Sequence, residues 1–153
     1  VDFCGKLVPI CGVKGVTMSD ILQEYSKELM DHFSHPRNIG TIEGPSGVGE
    51  VGNPRCGDVM KLFIKVKTKK ENGKDVEYID DVKVQTLGCG AAIASASMAT
   101  EMIKGKKLEE AENLTNEVVA KALGGLPKQK IHCSVLARQG IQKAIEDYRN
   151  KKQ

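Results

Sequence analysis

Two runs of alternating residues on either side of an Asn-Gly pair constrain this chain more than any other feature. Leu62, Ile64 and Val66 alternate with Lys61, Lys65 and Lys67, and beyond Asn72-Gly73 the residues Tyr78, Val82, Val84 and Thr86 share one parity. Successive side chains of a strand point to opposite faces, so this period gives strands with one apolar side. Asn-Gly readily takes the positive φ values of a two-residue hairpin turn. A hairpin with one apolar face follows, and that face needs a cover. Upstream, the Gly-rich stretch from Asn38 to Gly57, with Pro45 and Pro54, has room only for loops and a short edge strand around Val48–Val51.

The cover is read from helical periods. Ser19 and Asp20 are good N-caps ahead of Leu22, Tyr25, Leu29 and Phe33, which recur at helical spacing until Pro36 ends the run. Ala91–Lys104 is built largely of Ala, Ser and Met and stops at Gly105, so a neighbouring backbone can come close. Leu108–Ala111 makes a short turn, Thr115 caps Asn116–Leu123 ahead of Gly124-Gly125, and Ser134–Tyr148 sets Ala137, Ile141, Ile145 and Tyr148 on one stripe. The expected class is α+β, a small antiparallel sheet of two or three strands packed on one side by helices. Residues 1–17, with Gly5, Pro9, Gly12 and Gly15 but no period, read as a flexible N-terminal extension, and 18–153 as one folded domain.

Composition narrows the function. The chain of 153 residues is 40% hydrophobic, enough for a core, but with three Phe, three Tyr and no Trp it lacks a stacking surface for bases. The net charge of +3 is small and is supplied by the segment from Arg138 onward, so no nucleic-acid partner is expected. No apolar run approaches the ~18 residues of a bilayer crossing, and no membrane partner is expected. Five cysteines, an odd number in a chain this large, argue against a disulfide framework and for reduced thiols in the cytoplasm. Residues 1–17 also lack the pattern of a signal peptide. Cys4 and Cys11 match no close metal-binding spacing.

The other three cysteines sit where chemistry is available. Cys56 lies in Gly52-Asn53-Pro54-Arg55-Cys56-Gly57-Asp58, and in an extended chain residues two apart project to one side, which would put the thiol beside the Asp58 carboxylate. The plainer reading of that loop is an Asp capping a turn. Cys89, in Gly88-Cys89-Gly90, and Cys133, after His132, both stand before expected helices, whose free N–H groups lower a thiol's pKa and favour thiolate. Lys130 would add positive charge near Cys133, and His132 is a candidate ligand or proton acceptor. His32 and His35 read instead as cations near a helix C-terminus. With no C-x-x-C pair, spacing leaves open whether the three thiols, Asp58 and His132 converge; three soft thiolates would suit zinc, copper(I) or an iron–sulfur cluster.

Gly52–Asp58, Gly88-Cys89-Gly90-Ala91-Ala92-Ile93-Ala94-Ser95 and Lys130-Ile131-His132-Cys133-Ser134 resemble the three signature segments of the IscU family of iron–sulfur cluster scaffolds. Tyr25–Gly40, with His35-Pro36-Arg37-Asn38, also resembles that family's first helix and turn, so the likeness runs from about Met18 to Tyr148. The resemblance implies a three-stranded antiparallel sheet with helices. It implies that Cys56, Cys89 and Cys133 are cluster thiolates, with Asp58 and His132 the other donors. It further implies a scaffold rather than an enzyme. A transient cluster, of 2Fe–2S type, would be built from iron, persulfide sulfur from a pyridoxal-phosphate cysteine desulfurase of IscS type, and electrons from a ferredoxin-like donor, then handed to apo iron–sulfur proteins. Homodimer formation is left open.

Three features depart from the family pattern. Chaperone-dependent members carry Leu-Pro-Pro-Val-Lys where this chain reads Leu126-Pro127-Lys128-Gln129-Lys130, which argues against dedicated Hsp70 recognition. The extension before Met18 is unusual, and Phe33 stands where a Tyr is common. The related SufU-type zinc sulfurtransferases are the alternative. They carry an insertion between the second and third cysteines and a residue other than His before the last, whereas here that span looks uninserted and His132 is present.

Overall fold

The computed structural model describes residues 25–53 and 57–152. Cys4, Cys11 and Cys56, the expected caps Ser19 and Asp20, and the expected domain boundary at residue 18 therefore lie outside the described residues. Helix α1 spans Lys27–Ser34 and is capped by Ser26, whose Oγ accepts from the Leu29 N–H at 3.0 Å and donates to the Leu123 carbonyl. Pro36 follows its end, as the sequence requires.

The sheet has three antiparallel strands in the order β1 (Gly47–Asn53), β2 (Asp58–Glu71), β3 (Lys74–Leu87). Asn72 and Gly73 make the turn with φ of 52° and 78°, the positive pair of a tight hairpin. Leu62 faces Val84 and Ile64 faces Val82 across the hairpin, and all four are fully buried. Beyond them the register slips: Lys65 pairs with Asp81 but Val66 with Ile79, so Asp80 is an extra residue in β3. An extra residue inverts the parity that follows it. The buried side chain is therefore Ile79, while Tyr78, which simple alternation assigned to the core face, is half-buried. β3's outer edge is also paired: Val84 exchanges hydrogen bonds with Asn38 and Gly40, and Ile79 with Gly105 and Lys106, at 2.7 to 3.0 Å.

Helices cover one face, as expected. α2 (Gly90–Ile103) packs on β3 and lies against α1 and α5. α3 (Leu108–Glu112) and α4 (Asn116–Ala122) lead through a 3-10 turn (Lys128–Lys130) into α5 (Ile131–Lys152), which lies on β1 and β2. Arg149 forms a bidentate pair with Glu112 at 2.9 and 2.8 Å, and the Tyr148 hydroxyl donates to Glu77 at 2.7 Å, fixing the far end of α5 to α3 and β3. α5 begins at Ile131, earlier than the apolar stripe indicated, so Cys133 lies within its first turn rather than before it. The other correction concerns His32. It is 5% exposed, with Nδ1 2.8 Å from Ser97 Oγ. Burial first, then Arg37, hold its pKa below the ordinary imidazole value, with Glu101 and Asp31 opposing. It is a buried joint between α1 and α2, not a solvated cation. Among the described residues no helix is long and apolar enough to cross a membrane.

Candidate metal centre

Three element starts meet at one end of the sheet. Asp58 opens β2, Cys89 is the N-cap of α2, and His132 and Cys133 lie in the first turn of α5. Donor atoms of Asp58, Cys89 and Cys133 all fall within 4.8 Å of one another. The two sulfurs are 3.7 Å apart and both thiols are free. Cys133 Sγ lies 4.0 Å from Asp58 Oδ2 and 3.5 Å from His132 Nε2, and that nitrogen is 3.7 Å from Asp58 Oδ2. Cys133 and Asp58 are buried, at 0% and 5% exposure, whereas Cys89 is half-buried and His132 reaches the surface.

These spacings can be tested against a metal. Two thiolates at ~2.3 Å from one tetrahedral ion stand about 3.8 Å apart, and mixed sulfur, nitrogen and oxygen pairs about 3.4–3.6 Å. The sulfur pair meets that value, and three of the other five separations, Cys133 to Asp58, Cys133 to His132 and His132 to Asp58, depart from theirs by no more than ~0.5 Å; Cys89 and Asp58 donors lie within 4.8 Å, and His132 falls outside that group. Two soft sulfurs with a carboxylate and an imidazole make a donor set suited to zinc or iron, not to magnesium or calcium.

The surroundings are half apolar and half charged. Ala91, Ala92 and Cys133 form a buried patch against which Tyr25, Cys89 and Leu126 pack. An open cleft of about 380 Å³ lies above, lined by Asp58, Cys89, Lys130 and His132 among others. Burial, Cys89 and Asp58 push the Cys133 thiol far up, against a smaller opposite pull from Lys130. The expectation that this thiol's pKa is lowered is thus overturned, because desolvation of a buried thiolate and the neighbouring Cys89 and Asp58 outweigh the pull of Lys130. Such a thiol keeps its proton until a metal displaces it. For Lys130 burial works against the charge, but Cys89, Tyr25 and Cys133 outweigh it, so its pKa is raised. The sequence reading placed Tyr25 only on a helical stripe and did not single out Leu87, 73% exposed at the lip of the cleft; an apolar residue at a strand end carries no signal of that position.

A small α+β domain that gathers thiols, a carboxylate and an imidazole at one open rim has the donors of a metal-handling protein. Comparison narrows the class. Residues 24–153 match the model of the NifU-like N terminal domain, and the chain belongs to that family. It is 56% identical over 124 residues to the iron-sulfur cluster assembly scaffold protein IscU 1 of Archaeoglobus fulgidus, covering 81% of this chain and 76% of that protein. It is 50% identical over 131 residues to the iron-sulfur cluster assembly scaffold protein IscU of Azotobacter vinelandii, covering 84% and 96%. The crystal structure of an N-terminal NifU-like protein from Brucella abortus shares the fold, with a TM-score of 0.60 over 86% of this chain and 98% of that one, at 17% identity.

Proposed function

We infer that this chain is a scaffold on which an iron–sulfur cluster is assembled and from which it is passed to other proteins. The observation that carries the reading is the meeting of Asp58, Cys89 and Cys133 donor atoms within 4.8 Å at an open rim, in a chain about half identical to proteins named as scaffolds. The ligands we assign are Cys56, Cys89 and Cys133, with Asp58 and His132 as the non-thiolate donors. Cys56 is joined to Asp58 through Gly57 alone, which keeps their α-carbons within ~7 Å whatever the loop does.

The cargo is a 2Fe–2S cluster. A stable ferredoxin-type cluster has four protein thiolates, and a set completed by an oxygen or nitrogen donor holds one corner more weakly, as release requires. Sulfur arrives as persulfide from a cysteine desulfurase. Each sulfane sulfur takes up an electron pair from a ferredoxin-like donor to become sulfide, and the finished cluster goes to apo-proteins. The chain itself binds and releases rather than catalyses. Working thiols need a reducing compartment, and we assign the protein to the cytoplasm. The tetrahedral spacing also favours zinc in the same site, the basis of a sulfurtransferase reading; the 44-residue separation of Cys89 and Cys133 and the presence of His132 favour the scaffold.

Anaerobic reconstitution with iron, cysteine and a desulfurase tests this. Visible charge-transfer absorption should develop and be lost in Cys89→Ser and in Cys133→Ser. Asp58→Ala should retain it and lose its cluster to a chelator several-fold more slowly, because the hard carboxylate oxygen, which binds iron less tightly than a thiolate, is the labile corner or gate at which the cluster opens. A colourless protein that holds zinc tightly yet still stimulates the desulfurase would overturn the scaffold reading.

A further inference from the structure

Gly88 stands between the end of β3 and the N-cap of α2, and its bare α-carbon faces the Asp58 carboxylate. A methyl group there would meet Asp58 Oδ1 at 2.8 Å, Asp58 Cγ at 2.9 Å and Ala92 Cβ at 3.0 Å. Separations under about 3 Å are overlaps that well-packed interiors do not hold. Neither neighbour can give way cheaply. Asp58 is 5% exposed and its backbone is paired with Asn53, and Ala92 is fully buried in α2. Gly88 is not among the glycines with positive φ, so space and not backbone conformation makes glycine necessary here.

The two oxygens of Asp58 face different ways. Oδ1 is the one that a methyl at residue 88 would strike, while Oδ2 is directed to Cys133 Sγ at 4.0 Å and His132 Nε2 at 3.7 Å. How deeply the carboxylate sits against residue 88 therefore sets how near Oδ2 comes to the thiol. The carboxylate also lies beside the first turn of α2, where the helix's free N–H groups favour negative charge. We propose that Gly88 is a positioning residue: its missing side chain is the socket that seats the Asp58 carboxylate at the metal centre. This rests on the reading of Asp58 as a metal donor given above.

Cobalt(II) separates the two claims. Its sulfur-to-metal absorption counts thiolates, and its visible d–d bands respond to the remaining donors. Asp58→Ala should shift the d–d bands and leave the thiolate absorption intact, and Gly88→Ala should reproduce that shift. In the Asp58→Ala background, Gly88→Ala should leave the d–d bands where Asp58→Ala alone puts them, because the carboxylate it would displace is gone and only the Ala92 contact at 3.0 Å remains. Unchanged bands in Asp58→Ala would remove Asp58 from the ligand set and the reading beneath. A shift in Asp58→Ala but not in Gly88→Ala would overturn the role of Gly88 alone. Loss of thiolate absorption in Gly88→Ala would overturn it too, since the damage would then lie in the turn at Cys89. Should Gly88→Ala fail to fold, the chain that combines it with Asp58→Ala and Ala92→Gly, which removes both contacts, is compared with the one that combines it with Ala92→Gly alone: recovery only where Asp58 is also replaced supports the socket, and any other result sinks it.

Discussion

His32 shows how one side chain can join two elements and make the joint depend on pH. Its Nδ1 is 2.8 Å from Ser97 Oγ, the same oxygen that accepts the Arg37 backbone N–H at 2.9 Å. Its Nε2 lies 3.5 Å from Glu101, and Arg37 lies 3.7 Å from Glu101 and 2.5 Å from Asp31. Burial and the Arg37 charge disfavour the imidazolium more than Glu101 and Asp31 favour it. The unfolded chain then binds the proton more readily than the folded one, so the stability that neutral His32 supplies is complete above the unfolded value of about 6.5 and drains as pH falls through that value toward the lower folded one. Thermal melts across this range should show the midpoint of the unsubstituted chain falling with acidity, and a flatter profile for His32→Asn. Parallel profiles would mean that the loss comes from other groups. Nothing in the residue pattern announced this joint, because a histidine near a helix end reads as a solvated cation until the helix packed over it is known.

At the scale of elements, glycines let β1 and α5 come close. A methyl on Gly49 would fall 2.2 Å from the Gly140 carbonyl oxygen and 2.6 Å from the Ala144 nitrogen, and one on Gly47 would fall 2.2 Å from the Ala144 carbonyl oxygen. Both neighbours are helix backbone and cannot rotate away, so α5 must lift off the sheet. Overpacking of this kind costs about 1–3 kcal/mol or more. Urea unfolding should place Gly49→Ala at the upper end of that range. Gly52→Ala, whose nearest contact is the Asp58 carbonyl oxygen at an ordinary 3.5 Å, should stay within about 0.5 kcal/mol of the parent. Equal losses would show that glycine at 49 is not there for space. The same elements mark how far the sequence could be read. Alternation located β2 and β3, and Asn72-Gly73 gave the turn, because both depend on local sterics. The extra residue at Asp80 did not show, since it is defined only by what stands opposite on β2, and so Tyr78 was placed on the wrong face. The start of α5 was hidden as well, because its first turn carries His132 and Cys133 in place of the apolar repeat that marks the rest.

At the scale of the whole molecule, the candidate metal centre is a junction: β2, α2 and α5 begin there, and Cys89 and Cys133 are 44 residues apart in the chain yet 3.7 Å apart in space. Each cysteine was legible as unusual from its glycines or its histidine, but their meeting was not, because it depends on helices returning over one face of the sheet. A metal bound at such a junction ties three segments together and is linked to folding of the whole domain. Zinc in excess by about a hundredfold over its Kd should add ~2.7 kcal/mol of stability, which for a chain of this length is roughly 5–10 °C in Tm, and a chelator should reverse the gain. Cys89→Ser isolates the effect. Cys89 caps α2 without a side-chain hydrogen bond, and serine is a favoured N-cap, so the metal-free variant should melt no lower than the parent while losing most of its response to zinc. A variant that still gained the full shift would place the metal elsewhere, and one that melted well below the parent without zinc would show that the Cys89 thiol supports the fold by packing.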